Sequence, residues 1–291
     1  MSKFKSTEEF DNKIVEEYLQ GKSTVAIHKE YGITIDIARS ILKRKKIKMR
    51  TLSQAFKKYH FNDDFFAIID TEAKAYFLGI ILTDGYIGDK DVVLELNCKD
   101  RHIIETFVEC VNGNNKIHEI TKNPNTTFNT TISTTSRLSF RSNKMVQDLR
   151  KLGIEKNKTF NMNIPKLPEH LERHFWRGVL DGDGYVSICK ARAKDKKRST
   201  AENAQYFLYK VLEVGICGHI NTVTSFSNFL EKNNILASKI FPDHSIFSVR
   251  VSGSKNGIKF LDLIYTDSDP KLCLKRKHEK YLEYLEYKKN L

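Results

Sequence analysis

A short motif occurs twice in this chain, and the repeat limits the fold more than any other feature. FLGIILTDGYI, from Phe77 to Ile87, returns as WRGVLDGDGYV from Trp176 to Val186. Gly79 and Gly178, Asp84 and Asp183, Gly85 and Gly184, Tyr86 and Tyr185 are identical pairs, and most other positions are apolar in both. A chain that repeats a segment in this way is expected to fold as two like units. Each copy reads as an apolar helix that stops at an Asp-Gly, with Gly85 and Gly184 expected to supply a left-handed turn. Ala75, Gly79 and Thr83 recur every four residues on one helical face, and Gly178 and Gly182 do the same in the second copy. Small residues let helix backbones approach closely where they cross. Gly79, Thr83, Gly178 and Gly182 therefore predict that the two helices pack side by side and bring Asp84 and Asp183 together. Two carboxylates held close repel unless a cation lies between them. Mg²⁺, or Mn²⁺, suits such oxygen ligands. Asp181 is the third acid of the two motifs, but Leu82 stands at its position in the first copy, so the repeat selects Asp84 and Asp183.

The segments after each motif also repeat. In the first half strands are expected at Val92–Lys99, Lys116–Thr121 and Arg137–Arg141, with helices at Arg101–Val111 and Lys144–Leu152. In the second half strands are expected near Tyr185–Lys194, Tyr206–Ile216, Ser238–Phe241 and Phe247–Val251, with helices about Thr222–Lys232 and Gly257–Ile264. LELN at 94–97 is aligned with LEVG at 212–215, which sets Gly215 opposite Asn97. The expected class is α+β: two pseudo-symmetric αββαββα halves, 72–160 and 161–291, of antiparallel sheet and helix.

Residues 1–50 read differently, as three short helices. Glu8–Leu19 is amphipathic, Ser23 or Thr24 caps a second helix ending near Tyr31, Gly32 turns the chain, and Thr34 starts a third over Ile35–Arg44. This is a helix-turn-helix pattern. The segment GKSTVAIHKEYGITIDIARSILKRKKIKMR resembles resolvase-type helix-turn-helix domains, which implies that the helix after the glycine turn enters the major groove, with Arg39, Lys43 and Arg44 at the DNA. A small all-α DNA-binding domain over 1–50 and a linker over 51–71 are expected to precede the two halves.

Charge and strand patterning favour a polyanion. The net charge is +13, which selects for nucleic acid or, less often, an anionic surface. Alternate strand residues share a face. Glu95, Asn97 and Lys99 oppose Leu94 and Leu96, and Arg137, Ser139 and Arg141 oppose Leu138 and Phe140. Lys190, Arg192, Lys194 and Lys196 oppose Cys189, Ala191 and Ala193, and Arg250 opposes Val249 and Val251. Four cations on one strand face repel unless an anion lies there, so this face is expected to meet DNA. The alternative for such a row is an ordinary solvated surface, and Glu95 is assigned to that. The five cysteines are scattered and form no CxxC pair, which argues for a reducing compartment and against structural zinc. The first ten residues carry Glu8 and Glu9 and no apolar run, unlike a signal peptide. No apolar stretch is long enough to span a bilayer.

The two motif copies resemble the LAGLIDADG motif of the homing endonucleases of that name, over about residues 72 to 291. That resemblance implies two halves packed through their motif helices, with saddle-shaped sheets over double-stranded DNA. It implies a divalent metal held by Asp84 and Asp183, with the adjoining Gly85 and Gly184 counted in the metal site. It implies cutting of both strands of a long, asymmetric target by a monomer. Polar residues near the metals match Asn97, Arg141 and Arg250 by position, with Lys144 and Lys255 as alternatives. Leu82 departs from the motif at its earlier acidic position, while the metal position is kept. The ends carry no splicing blocks, so a free-standing or intron-encoded protein is expected, in a prokaryotic or phage-infected nucleoid or in an organelle. Two other functions are carried forward. One is a DNA-binding regulator that kept the fold, against which both aspartates argue; the other is an intron maturase that binds its own intron RNA.

Overall fold

Backbone geometry in the computed structural model is described for residues 6–50, 59–122, 132–156, 163–194 and 206–291. The chain divides into two units, Met1–Tyr59 and His60–Leu291.

The first unit contains α1 (Glu8–Leu19), α2 (Thr24–Tyr31) and α3 (Ile35–Arg44). Thr7, Ser23 and Thr34 cap them, each side chain accepting from a backbone N–H three residues on, which satisfies donors the helix leaves open. Gly32 ends α2 in the left-handed region at φ 67°, a conformation costly for residues with a Cβ. Ile14, Tyr18, Ile27, Ile33, Ala38, Ile41 and Leu42 form a core of their own. Its rim is tied down from the last helix onward. Arg44 pairs with the buried Asp11, and the Arg50 guanidinium lies 4.2 Å from the Tyr18 ring and donates to the Gly21 carbonyl at 2.8 Å.

The second unit holds both motifs. Its elements are α4 (Glu72–Thr83), β1 (Gly85–Ile87), β2 (Asp91–Asn97), a 3-10 turn (Cys98–Asp100), α5 (Arg101–Cys110), β3 (His118–Lys122), β4 (Ser133–Arg141) and α6 (Asn143–Lys151). There follow α7 (Glu169–Asp183), β5 (Gly184–Lys194), β6 (Tyr206–Gly218), α8 (Ile220–Lys232), β7 (Phe241–Asp243), β8 (Ile246–Arg250), α9 (Gly253–Tyr265) and α10 (Lys275–Lys289). The strands form two four-stranded antiparallel sheets of corresponding order, β1-β2-β4-β3 and β5-β6-β8-β7. The class is α+β. No helix among the described residues is long and apolar enough to cross a membrane.

Every residue of α4 from Ala75 to Leu82 is buried, as an all-round apolar helix requires. In the first half α5 packs on α4 through Phe107 stacked on Phe77 at 4.4 Å; in the second α8 packs on α7 through Phe226, 5.3 Å from Trp176. Of the segment read as a linker, 51–58 lies outside the described residues, while Phe65, Phe66 and Ile69 are buried in this core.

Four expectations differ from the structure. Lys99 lies in the 3-10 turn and not on β2. The seventh strand is Phe241–Asp243, with Ser238 ahead of it. Neither Gly85 nor Gly184 is left-handed; Gly184 is extended, at φ −101° and ψ 175°. These two glycines serve close approach instead. A Cβ at Gly85 would fall 2.6 Å from the Ile81 carbonyl oxygen, and one at Gly184 would fall 2.6 Å from that of Leu180. The strand leaves each helix by folding straight back over its last turn. Finally, α10 is an addition to the αββαββα pattern, and it matters to the site.

Candidate active site and nucleic-acid interface

The two motif helices cross with their main chains touching. A Cβ at Gly178 would lie 2.2 Å from the Tyr76 carbonyl oxygen and 3.1 Å from Gly79 Cα; one at Gly79 would lie 2.3 Å from the Phe175 carbonyl oxygen. One turn on, Gly182 faces Thr83, and a Cβ there would lie 1.9 Å from Thr83 Oγ1 and 2.6 Å from Asp84 Oδ2. The stripe of Gly79, Thr83, Gly178 and Gly182 is therefore the crossing itself. Side chains lock it on both sides. Tyr76 Oη donates to Asp181 Oδ2 at 2.9 Å. Arg177, fully buried, donates to Glu72 at 2.6 Å, to the Leu272 carbonyl at 2.7 Å and to the Ile264 carbonyl at 2.9 Å.

This crossing sets Asp84 against the end of α7. Asp84 follows the last residue of α4, and its Oδ2 lies against Gly182, the residue before Asp183. Thr83 Oγ1 is 3.2 Å from Asp84 Oδ2 and also donates to the Ile80 carbonyl at 3.0 Å. Asp183 closes α7, and Cys217 Sγ donates to its carbonyl at 3.3 Å. Burial pushes the Cys217 thiol up, and the charges of Asp183 and Asp243 add to that. Asp181 points the other way. It is 1% exposed, accepts from Tyr76 and from the Leu274 N–H at 2.8 Å, and burial pushes its carboxyl up. It belongs to the helix interface, while Asp84 and Asp183 stand at the helix ends.

Lys277, on α10, carries a role that nothing local in the sequence marks. Its Nζ donates to the carbonyls of Leu180, Asp181 and Gly184 at 2.6, 2.7 and 2.6 Å, and the residue is 4% exposed. An ammonium at a helix C-terminus meets orphan carbonyls and the negative end of the dipole. Burial pushes Lys277 down to about 8, opposed first by Asp181 and also by Asp84. The segment KRKHEKYLEYLEYKK holds six Lys and Arg, so only packing singles this lysine out. The Gly184 carbonyl, counted in the metal site from sequence, is thus engaged by an internal cation.

Strand register orders the remaining candidates around the aspartates. Tyr86, two residues past Asp84, heads the rung Tyr86–Val93–Ser139; Tyr185, two residues past Asp183, heads the corresponding rung Tyr185–Gly215–Arg250. Arg250 is thus the cation nearest its aspartate along the sheet, and Ser139 is its counterpart. Counted from the Gly85–Leu94 rung, the first after Asp84, Arg141 (paired with Asp91) and Asn97 (paired with Thr135) lie three residues away on opposite sides, and Asp84 is on the Asn97 side. At about 3.3 Å per residue each offset is roughly 10 Å. Asn97 accepts from the Lys99 N–H at 3.0 Å and so caps the 3-10 turn. Because Gly85 pairs with Leu94 and Gly184 with Ile216, the position matching Asn97 is His219, not Gly215. His219 caps α8 in the same way, accepting from the Asn221 N–H. The alignment of LELN with LEVG is therefore four residues out, an even shift that leaves the face assignments unchanged. Tyr185, half-buried on this rung, has its hydroxyl pushed up by burial, and the charge of Arg250 opposes that.

The outward face of the first sheet is polar and basic, as expected. Arg137, Ser139 and Arg141 are exposed, and Leu138 and Phe140 are buried. Glu95 is held low by Lys122 at 2.5 Å, with Thr135 at 2.8 Å and Arg137 at 3.8 Å. In the second sheet the expectation is reversed. Lys190, Arg192 and Lys194 alternate correctly with Cys189, Ala191 and Ala193, but they share their face with Val186 and Ile188, which enter the core. On the same face Lys210, opposite Lys190, is met by α10, with Glu283 at 3.1 Å and the Tyr287 ring at 5.4 Å. Lys196 lies outside the described residues. In the first unit Arg39 is exposed, 3.6 Å from Asp36, Lys43 is exposed, and Arg44 is engaged by Asp11.

No protein-family model matches the chain. No curated protein matches it. Among solved structures it is similar to the LAGLIDADG meganuclease I-AabMI bound to uncleaved DNA, at 11% identity over 75% of this chain and 90% of that one, with a TM-score of 0.44. It is similar to the LAGLIDADG homing endonuclease I-LtrWI bound to target DNA, at 13% identity over 75% and 91%, with a TM-score of 0.49. It is also similar to the LAGLIDADG meganuclease I-CpaMI bound to uncleaved DNA, at 10% identity over 76% and 93%, with a TM-score of 0.47.

Proposed function

We propose that this chain is a site-specific, metal-dependent double-strand DNA endonuclease of the LAGLIDADG homing type, acting as a monomer. The observation that carries this reading is the meeting of Asp84 with the end of α7 at Gly182, one residue from Asp183, across a crossing built from matched glycines. A structural role alone would not put an acid at the same end of both helices. The donor set fits a hard divalent ion: two carboxylates with main-chain oxygens beside them. Asp84 and Asp183 would hold Mg²⁺ or Mn²⁺, with Gly85 the adjoining residue whose carbonyl is the candidate third donor. Such an ion supplies an activated water and charge stabilisation at a scissile phosphate. Arg250, on the rung two residues past Asp183, would meet that phosphate. Arg137, Ser139 and Arg141 offer hydrogen bonds to phosphates and base edges.

The test is cleavage of DNA spanning the gene's insertion point in Mg²⁺ buffer. Wild type should cut both strands. Asp84→Asn and Asp183→Asn should each abolish double-strand cutting while duplex affinity in EDTA stays within about threefold, since the exchanges keep shape and remove charge. A folded wild type that binds this DNA but never cuts it would leave the regulator as the better reading. One that binds only intron RNA would favour the maturase.

A further inference from the structure

The hairpin of β5 and β6 is amphipathic in an unusual sense. One face of its distal half carries three rungs with no formal charge: Cys189–Val211, Ala191–Tyr209 and Ala193–Phe207. Phe207 is 51% and Tyr209 39% exposed, and their rings lie 5.8 Å apart. The reverse face carries Lys190–Lys210, Arg192–Leu208 and Lys194–Tyr206, with the Arg192 guanidinium 3.9 Å from the Tyr206 ring. An exposed apolar ladder of this size on a chain of net charge +13 calls for an occupant.

Two features select duplex DNA over another protein. The side of the hairpin that carries these rungs runs on through Ser187–Glu213, which brings in one carboxylate, to Tyr185–Gly215–Arg250, the rung two residues past Asp183. It is therefore continuous with the candidate active site. The major groove also admits a two-stranded ribbon, and a ribbon lying there has one face on base edges and the other at the level of the phosphates. The cations lie on one face only, which matches that division. Apolar side chains satisfy the donors and acceptors of neither a G·C nor an A·T edge, so that cost does not choose between them and the choice falls to apolar contact. The apolar group that a major-groove edge offers is the thymine C5-methyl.

We infer that the β5–β6 hairpin enters the major groove with Ala191, Ala193, Phe207 and Tyr209 against thymine methyls, so that the second half of the target is read largely by apolar contact. This rests on the DNA-endonuclease reading above. Same-face rungs are about 6.7 Å apart and base steps about 3.4 Å, so three rungs span about five base pairs. The first sheet, with Arg137, Ser139 and Arg141 outward, reads its half by hydrogen bonds.

The experiment is selection of bound duplexes from a random pool by the full-length protein in EDTA, followed by thymine-to-uracil exchange in the enriched site. One half should show a T·A-rich block of about five base pairs. Each exchange there should weaken binding about fourfold, the value of one buried methyl, and exchanges in the other half should change it less than about twofold. Phe207→Ser with Tyr209→Ser should remove the uracil sensitivity of that block and leave the preferences of the other half intact. A site enriched normally but indifferent to uracil throughout would overturn this inference and spare the nuclease. Sedimentation showing a dimer that the double variant dissociates would assign the face to a second copy and overturn it as well. No enrichment of any sequence would sink both readings together.

Discussion

Single residues at this site are separated by what surrounds them rather than by what they are. Asp181 and Asp183 are two positions apart, yet one is enclosed by Tyr76 and the Leu274 N–H and the other ends the helix beside Cys217. The glycines show the same dependence on surroundings. Gly178→Ala would put a Cβ 2.2 Å from a carbonyl oxygen on the other motif helix. The obstacle is main chain, which cannot rotate away, so the helices must separate. We expect a loss of about 3 kcal/mol or more, typical of overpacking at its upper end. That corresponds to about 6–12 °C in Tm for a unit of this size. Because separation also parts Asp84 from the end of α7, cutting should fall further than stability, read by comparing cleavage with a thermal melt. An alanine variant that melts like wild type would show that the crossing is looser than these distances require. Gly21→Ala, with φ 110° but open space around it, is the control for backbone strain alone.

At the scale of elements, α4 and α7 are held by a charged cluster as well as by their glycines. Arg177 donates to His174 Nδ1 at 2.9 Å and to Glu72 at 2.6 Å, so the imidazole acts as an acceptor and is neutral. Burial first, and then Arg177, hold His174 down at about 4, with Glu72 opposing and Arg173 and His170 reinforcing. A folded value below the unfolded one means that the unfolded chain binds more protons between them. The contribution is therefore full above about 6.5 and is lost as pH falls towards 4. The difference corresponds to at most about 3 kcal/mol. Wild-type Tm should drop between pH 6.5 and 4 more steeply than that of His174→Gln, whose side chain does not titrate. Equal slopes in the two proteins would place the acid sensitivity elsewhere. A second element-scale device is α10, whose Lys277 clamps the end of α7 from outside the repeat. The two motif helices are thus finished differently: Thr83 folds its hydroxyl back on α4, and an ammonium from another helix closes α7.

The whole molecule divides its charge unevenly. Residues 1–59 hold 14 of the 49 Lys and Arg against 7 of the 36 Asp and Glu, so about a fifth of the chain carries +7 of the +13. That unit has its own core, and the second unit has another. Residues 60–291 should therefore fold when 1–59 are deleted and keep the cutting proposed above. Affinity should fall, and the slope of log K against log salt should flatten by about 0.9 for each phosphate no longer neutralised. A deletion that binds with an unchanged slope would remove the first unit from the DNA interface. Within the second unit the segment before α10, with the first turn of that helix, ties the halves together. The Cys273 carbonyl accepts from His102 at 3.1 Å, Arg276 reaches Asp100 at 3.2 Å, and the Asp269 N–H donates to Glu72 at 2.9 Å.

Chain order and residue type were enough to locate the helices of the first unit with their caps, the two motif helices, their ends at Asp84 and Asp183, and the glycine stripe where they cross. Each of these rests on short-range geometry, the 3.6-residue period and the needs of helix ends, which neighbours along the chain supply. The alternation of the strands is legible for the same reason, since a period of two is intrinsic to them. Packing alone sets which face of β5 covers the core. Beyond Ile188 that face keeps its alternation but loses the apolar marker, so Lys190, Arg192 and Lys194 read as the outward row when they continue the inward one. Register is likewise a property of the folded sheet: likeness of letters matches Asn97 to Gly215, and hydrogen bonding between strands sets it against His219. Lys277 is illegible in the sequence because its partners are three main-chain carbonyls over ninety residues earlier, and main-chain carbonyls leave no residue type to announce them.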